Sequence, residues 1–217
     1  MISTVLPAYK YLIEQRGLNE QTIQDFFLAY VDQQGEIYIG ADFEGTLPKL
    51  DSRFNHSTLF PIQSVYGDTI GVSCRPLIKG PVKYINSTYE KADHLYGLNV
   101  SYKECLKTQS CYLVEGNLDL LQLYQAGIKN VAALLGSNFS FKQLCLLSRF
   151  VKKVILVPDG DQAGIHWREK IKASFDNKFR DSDLKFTFIQ LPNGFDPDKY
   201  ILTYGKESFL SLPEKDL

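Results

Sequence analysis

Apolar residues recur along this chain in two different rhythms, and the change between them marks a division of the fold. The stretch AYKYLIEQR, residues 8 to 16, predicts a short helix that Gly17 ends. Asn19 is placed to cap a second helix running to about Ala29, with Ile23, Phe26 and Phe27 on one side. Short runs follow, EIYIG, TLFPI, DTIGVSC and KYIN, in which β-branched and aromatic residues alternate or cluster between Gly, Pro and Asn, as strands do. Near Tyr102 the rhythm changes. CYLVEG, VAALLG, VKKVILV and KFTFIQL predict strands; LDLLQLYQA, SFKQLCLLSRF and DQAGIHWREKIKASF predict the helices between them. Gly127 serves as a helix stop and Ser140 as a cap, and the loop PNGFDPD leads to a last short helix. Strand–helix alternation with uniformly apolar strands predicts a parallel sheet covered on both faces. The expected fold is α/β: a parallel-sheet domain over 102–217, preceded by a small α+β subdomain over 1–101.

Composition narrows the classes without choosing one. A hydrophobic fraction of 44% with 13% aromatics supports a buried core and excludes disorder as the main state. Net charge is −1, with 9 Lys and Arg against 12 Asp and Glu from Met1 to Glu104, and 15 against 13 after it. Any nucleic-acid contact must then come from a local patch, modest in affinity and sensitive to salt. Cys74, Cys105, Cys111 and Cys145 are scattered, without zinc spacing or a disulfide framework, and read as free buried thiols. No stretch approaches the ~20 apolar residues of a membrane span. The expected location is the cytoplasm.

Candidate chemistry lies where ligands bind in such sheets, beyond the carboxyl ends of the strands. Glu115 closes CYLV, and Asp119 follows in the first turn of the next helix. Asp159 and Asp161 close VILVP on either side of Gly160, and Asp196 and Asp198 follow FTFIQL. Residues two apart in extended chain point the same way, so Asp159 and Asp161 can converge on one ion. Clustered carboxylates repel unless a cation neutralises them, and hard oxygen donors suit Mg2+ or Mn2+. Each Asp, Asp198 above all, also reads as an ordinary turn or helix cap.

VEGNLD followed by VPDGDQAG resembles the TOPRIM signature shared by primases, topoisomerases and some nucleases. YLIEQRGLNEQTIQDFFLAY, RPLIKGPVKYINSTYEKADHLYGLN and LPNGFDPDKYI, in that order, resemble bacterial- and phage-type DNA primases, and the resemblance runs from about Tyr9 to Tyr204. It implies a TOPRIM parallel-sheet domain behind the small α+β subdomain. The implied activity is a nucleotidyltransferase that makes short RNA primers from ribonucleoside triphosphates on a single-stranded DNA template. It implies Glu115 as metal ligand or general base and Asp159 and Asp161 as ligands of magnesium, with Asp119, Asp196 and Asp198 completing the acidic surface. It also implies Arg75, Lys83 and Lys91 facing phosphates of template or nucleotide, with Asn86 as the polar residue beside them. Tyr84 either packs beneath Asn86 or offers a stacking face, and Lys91 is either a phosphate contact or a solvated residue.

Several positions depart from the family pattern. Asn55 and Ser57 stand where basic residues are usual, and LLGSNFS stands where the family has a Gly-Thr pair, with Ser137 keeping the hydroxyl. Neither the zinc-binding domain nor the helicase-binding domain of such primases has a counterpart in this sequence, so a replicative helicase or a separate zinc-binding module is an expected partner. The chain reads equally as an excised core or as a small phage-type protein. The competing readings are a TOPRIM nuclease, which has no use for the KYINS and LYGL segments, and a non-catalytic module binding single-stranded DNA or a replication protein, which has no use for an acidic cluster. A topoisomerase is disfavoured because no Tyr stands in a nucleophile context.

Overall fold

The computed structural model describes residues 6–40, 42–78, 80–136, 138–174 and 183–217. They form two compact units, Met1–Tyr89 and Glu90–Leu217. The division falls ahead of the expected 101/102 because residues 91 to 96 are fastened to the second unit: Gln143 Nε2 donates to the carbonyls of Lys91 and His94, and Tyr96 bridges Ala133.

In the first unit α1 (Pro7–Lys10) runs into a single π turn over Tyr11–Gln15, and Gly17 leaves it at φ 65°. Asn19 caps α2 (Glu20–Asp25) by accepting the Thr22 N–H at 2.8 Å. The helix stops short of the expected Ala29 because Phe27 turns to φ 50°, which frees Ala29 to begin a strand. The strands β1 (Ala29–Val31), β2 (Ile37–Tyr38), β3 (Ser57–Gln63), β4 (Thr69–Pro76) and β5 (Ile85–Asn86) form an antiparallel sheet in the order β2-β1-β3-β4-β5. Ala29, Val31, Phe54, Leu59, Val72 and Cys74 close its core.

The first α-helix of the second unit is α3 (Leu98–Thr108), which its mixed polar sequence did not announce. Then strands and helices alternate: β6 (Ser110–Val114), α4 (Asn117–Gln125), β7 (Val131–Ala133), α5 (Phe141–Ser148), β8 (Lys153–Leu156), α6 (Gln162–Ser174), β9 (Lys185–Ile189) and α7 (Pro197–Leu210). A short strand, β10 (Glu214–Asp216), pairs antiparallel with β9, and the other pairings are parallel, in the order β10-β9-β8-β6-β7. β10 is fully exposed and charged, so no apolar pattern marked it; Lys153–Glu214 and Lys185–Asp216 ion pairs fasten it to the sheet. The last helix is longer than expected and kinks at Gly205, φ 77°.

The order places a switch point between β6 and β8, since the chain steps from β6 to β7 on one side and returns to β8 on the other. In open parallel sheets that point opens a crevice at the strands' carboxyl ends. Cys74, Cys105 and Cys111 are buried free thiols as expected, whereas Cys145 is exposed on α5. Among the described residues, no helix is long and apolar enough to cross a membrane.

Leu113 is fully buried in β6. Leu113→Ala should lower the unfolding free energy in a urea titration by about 2–5 kcal/mol, the usual cost of such a truncation in a packed core.

Candidate active site

The carboxylates found in the sequence gather around that switch point, and four of them, Glu115, Asp119, Asp161 and Asp196, accept a backbone N–H. Glu115 follows β6 directly, and its Oε1 accepts the Asp159 N–H at 3.3 Å, tying the tip of β6 to the turn after β8. Gly160 comes next. Its N–H donates to the Phe195 carbonyl at 2.7 Å, and a Cβ there would lie 2.1 Å from the Pro192 oxygen. No side chain fits. Asp161 caps α6, accepting the Gly164 N–H at 2.9 Å, and a Cβ on Gly164 would lie 2.1 Å from the Asp159 carbonyl. Asp196 caps α7 by accepting the Lys199 N–H at 2.7 Å. Asp198, 3% exposed in the first turn of α7, donates its N–H to Asp119 Oδ1 at 3.3 Å. Asp119 itself stands in the first turn of α4, close above Gly116.

Burial pushes the Asp119 carboxyl well above the usual carboxylate range. The neighbouring charges of Asp159, Asp196 and Asp198 push the same way, against the single N–H from Asp198. These carboxylates therefore share one electrostatic neighbourhood although they come from three separate segments. Among the described residues, no three His, Cys, Asp or Glu side chains converge into a ready-made cage for an ion. An open all-oxygen set fits Mg2+, which holds few protein ligands, keeps its waters and takes oxygens from phosphates. Capping and metal binding are compatible at Asp161 and Asp196, because the cap bond engages Oδ1 and a carboxylate has two oxygens.

The basic candidates do not form one group. In the first unit, Arg75 on β4 donates from Nη1 to the Tyr84 hydroxyl at 3.1 Å and lies 5.2 Å from the Tyr84 ring centre and 5.8 Å from that of Tyr11. Tyr84 also meets Phe60 edge-on at 6.2 Å, and its hydroxyl braces Arg75. Lys83 is exposed, and Asn86 pairs with Ser73 across β4 and β5. Lys91 belongs to the second unit, on a 3-10 turn over Lys91–Asp93, with an exposed side chain. Ser137 lies outside the described residues.

Arg75 lines a cavity of about 500 Å³ with Lys10, Tyr11, Arg16 and His56, and among the described residues no acidic side chain contributes to it. Lys10, Arg16 and His56 were not candidates from the sequence. They come from α1, the end of the π turn and the bend before β3, and no spacing links them. The departures at 55 and 57 have local duties: Asn55 Nδ2 donates to the Gln33 carbonyl, and buried Ser57 donates to the Asn55 carbonyl. Between them His56, at φ 49°, faces the cavity while its Nδ1 pairs with the Tyr30 hydroxyl at 2.9 Å.

Two outcomes are expected from this geometry. Gly160→Ala should leave a folded protein with a displaced Asp-Gly-Asp turn and a lower melting temperature by calorimetry, since the clash is with the Pro192 and Phe195 backbone, which cannot rotate away. Asp119 has a folded pKa above the ordinary value near 3.9, so the stability it contributes below about pH 4 is lost as pH rises through the folded pKa. Asp119→Asn should accordingly melt higher than wild type at pH 7 to 8 in EDTA, with the difference closing near pH 4.

Residues 112–201 match the Toprim-like family model, a span that holds every acidic candidate, and residues 43–102 match the DNA primase catalytic core, N-terminal domain, a span that holds every basic candidate from Arg75 to Lys91. The DNA primase of Pasteurella multocida is 32% identical over 234 residues, covering 98% of this chain and 40% of its own length. The chain thus spans about two fifths of the curated relatives it matches. The solved Aquifex aeolicus primase, comprising zinc-binding and RNA polymerase domains, superimposes with a TM-score of 0.78 at 27% identity over 97% of this chain and 57% of that one. A DnaG primase catalytic domain bound to ssDNA superimposes with a TM-score of 0.75 at 27% identity, covering 96% of this chain and 74% of that one. Toprim cores of primases are in general metal-dependent. With two family models matched in succession and DNA primases as its relatives over nearly its whole length, the chain belongs to the bacterial DNA primase family, matching its catalytic-core region.

Proposed function

We propose that this core joins ribonucleotides into short RNA primers on single-stranded DNA, using a divalent cation, Mg2+ or Mn2+, held on the acidic surface. The observation that carries the reading is the gathering of Glu115, Asp119, Asp159 and Asp161 with Asp196 and Asp198 at the switch point of the parallel sheet. The relative bound to ssDNA supports the template class. When bound, the cation supplies Lewis-acid stabilisation of the phosphoryl oxygens.

The chain's own residues have separable duties. Asp159 and Asp161 hold the cation, with Asp119, Asp196 and Asp198 completing its surroundings. Glu115 is either a further ligand or the base that accepts the proton of the attacking 3′-hydroxyl, at the tip of β6 where the Asp159 N–H orients it. The hydroxyl oxygen bonds to the α-phosphorus, the bond to the β-phosphate oxygen breaks, and pyrophosphate leaves. Arg75, with Lys83, Asn86 and Lys91, contacts phosphates of template or nucleotide without reading bases, and Tyr84 braces Arg75. Lys10, Arg16 and His56 add to the same cationic cavity as Arg75. A zinc-binding module or a replicative helicase is the proposed protein partner, and the cytoplasm the proposed place of action.

Primer synthesis on single-stranded DNA with labelled ribonucleotides and Mg2+ or Mn2+ tests the reading. Wild type should yield short RNA, and Glu115→Gln should lower the rate about 10²- to 10⁴-fold if it removes a base. Asp159→Asn should abolish synthesis with an unchanged circular dichroism spectrum. Full activity of Asp159→Asn removes this site from the account. Degraded template would indicate a nuclease, and no product at high protein with Mn2+ would indicate a binding module.

A further inference from the structure

The acidic turn does not stand alone; it leans on the loop ahead of α7. Two carbonyls of that loop, from Pro192 and Phe195, enclose Gly160, and the Phe195 oxygen accepts the Gly160 N–H at 2.7 Å. Gly160 joins Asp159 to Asp161, so the direction of both carboxylates follows from where these carbonyls are held.

Side chains of α7 hold them. Lys199 Nζ donates to the Gly194 carbonyl at 2.9 Å and lies 4.7 Å from the centre of the Phe195 ring. The same ring meets Tyr200 edge-on at 5.9 Å and Tyr204 at 5.4 Å, and these two tyrosines are 4.9 Å apart. Inside the loop, the Phe195 N–H donates to the Pro192 carbonyl at 3.2 Å, and Gly194 takes φ 80°. The ring is thus gripped by an ammonium group and two aromatic faces, while its own backbone grips the turn between the two candidate ligands. Aromatic and cation–π contacts of this kind fix a ring's position more firmly than apolar burial alone.

We infer that Phe195 and Lys199 are positioning residues for the metal-binding carboxylates, acting through the Phe195 carbonyl and Gly160. The inference rests on the reading that Asp159 and Asp161 bind a divalent cation. Loss of the grip lets the loop relax, and the two carboxylates lose their common aim. Substitutions in such outer supports of a metal site typically weaken binding by 10- to 100-fold.

Mn2+ titration of the whole chain, read from the free-ion electron paramagnetic resonance signal, tests this. Phe195→Ala should weaken Mn2+ binding roughly tenfold, and Phe195→Tyr, which keeps the ring, should stay within about twofold of wild type. Lys199→Met, at an exposed position, should weaken binding about threefold or more and serves where Phe195→Ala does not fold. In primer synthesis the Phe195→Ala defect should appear as a higher KM for the metal, with kcat recovered at high Mn2+. A purely structural role would lower the folded fraction and leave the Mn2+ affinity of folded protein unmoved. Wild-type affinity in both Phe195→Ala and Lys199→Met, beside loss in Asp159→Asn, overturns the positioning role and leaves the acidic site standing. Wild-type affinity in Asp159→Asn overturns both.

Discussion

Like charges held together by backbone are the constraint on which the second unit turns. Glu115, Asp119, Asp161 and Asp196 each accept a main-chain N–H, from Asp159, Asp198, Gly164 and Lys199 respectively. Those donors belong to strand ends and helix first turns, so the carboxylates cannot drift apart without unpicking the sheet's edge or a helix cap. Repulsion is therefore built into the folded state, and at Asp119 it adds to burial, the larger cause, in pushing the carboxyl upward. Such a cluster costs stability in isolation.

Glycines make the closeness attainable. Gly160 and Gly164 lie where a Cβ would collide with the backbone of Pro192 and of Asp159, so the turn after β8, the start of α6 and the loop before α7 approach within hydrogen-bond distance of each other. The aromatic grip on Phe195 extends this packing outward along α7. The first unit presents the opposite chemistry, a cavity edged by Lys10, Arg16, His56 and Arg75. Most of the basic candidates thus lie in the first unit and all the acidic ones in the second, with Lys91 the exception, so the net charge of −1 hides two local charge patterns.

Much of the acidic site was legible from the sequence because strand–helix alternation places the residue after each apolar run at the binding edge. Glu115, Asp159 and Asp161 could be placed there by position alone, and the caps at Asn19 and Ser140 by residue type. What escaped has physical causes. β10 is charged and exposed, so no apolar pattern marks it, and α3 turns only Leu98, Ser101 and Cys105 inward from a largely polar sequence. β1 follows a helix stop made by a positive φ at Phe27, a conformation that a phenylalanine does not advertise. Lys10, Arg16 and His56 meet through tertiary folding of separate segments, and the burden on Gly160 became visible only with the carbonyls of Pro192 and Phe195 around it.

If repulsion among these carboxylates is what a cation relieves, folding and metal binding are linked. The direct measurement is the melting temperature of the whole chain with and without Mg2+ at constant ionic strength, beside the Asp119→Asn, Asp159→Asn double variant. At Mg2+ near 100 times its Kd, linkage gives about 2.7 kcal/mol, a rise of roughly 5 to 10 °C for a chain of this size. The account predicts that rise in wild type and none in the double variant. An equal melting temperature for wild type with and without Mg2+, up to millimolar concentrations, would contradict it.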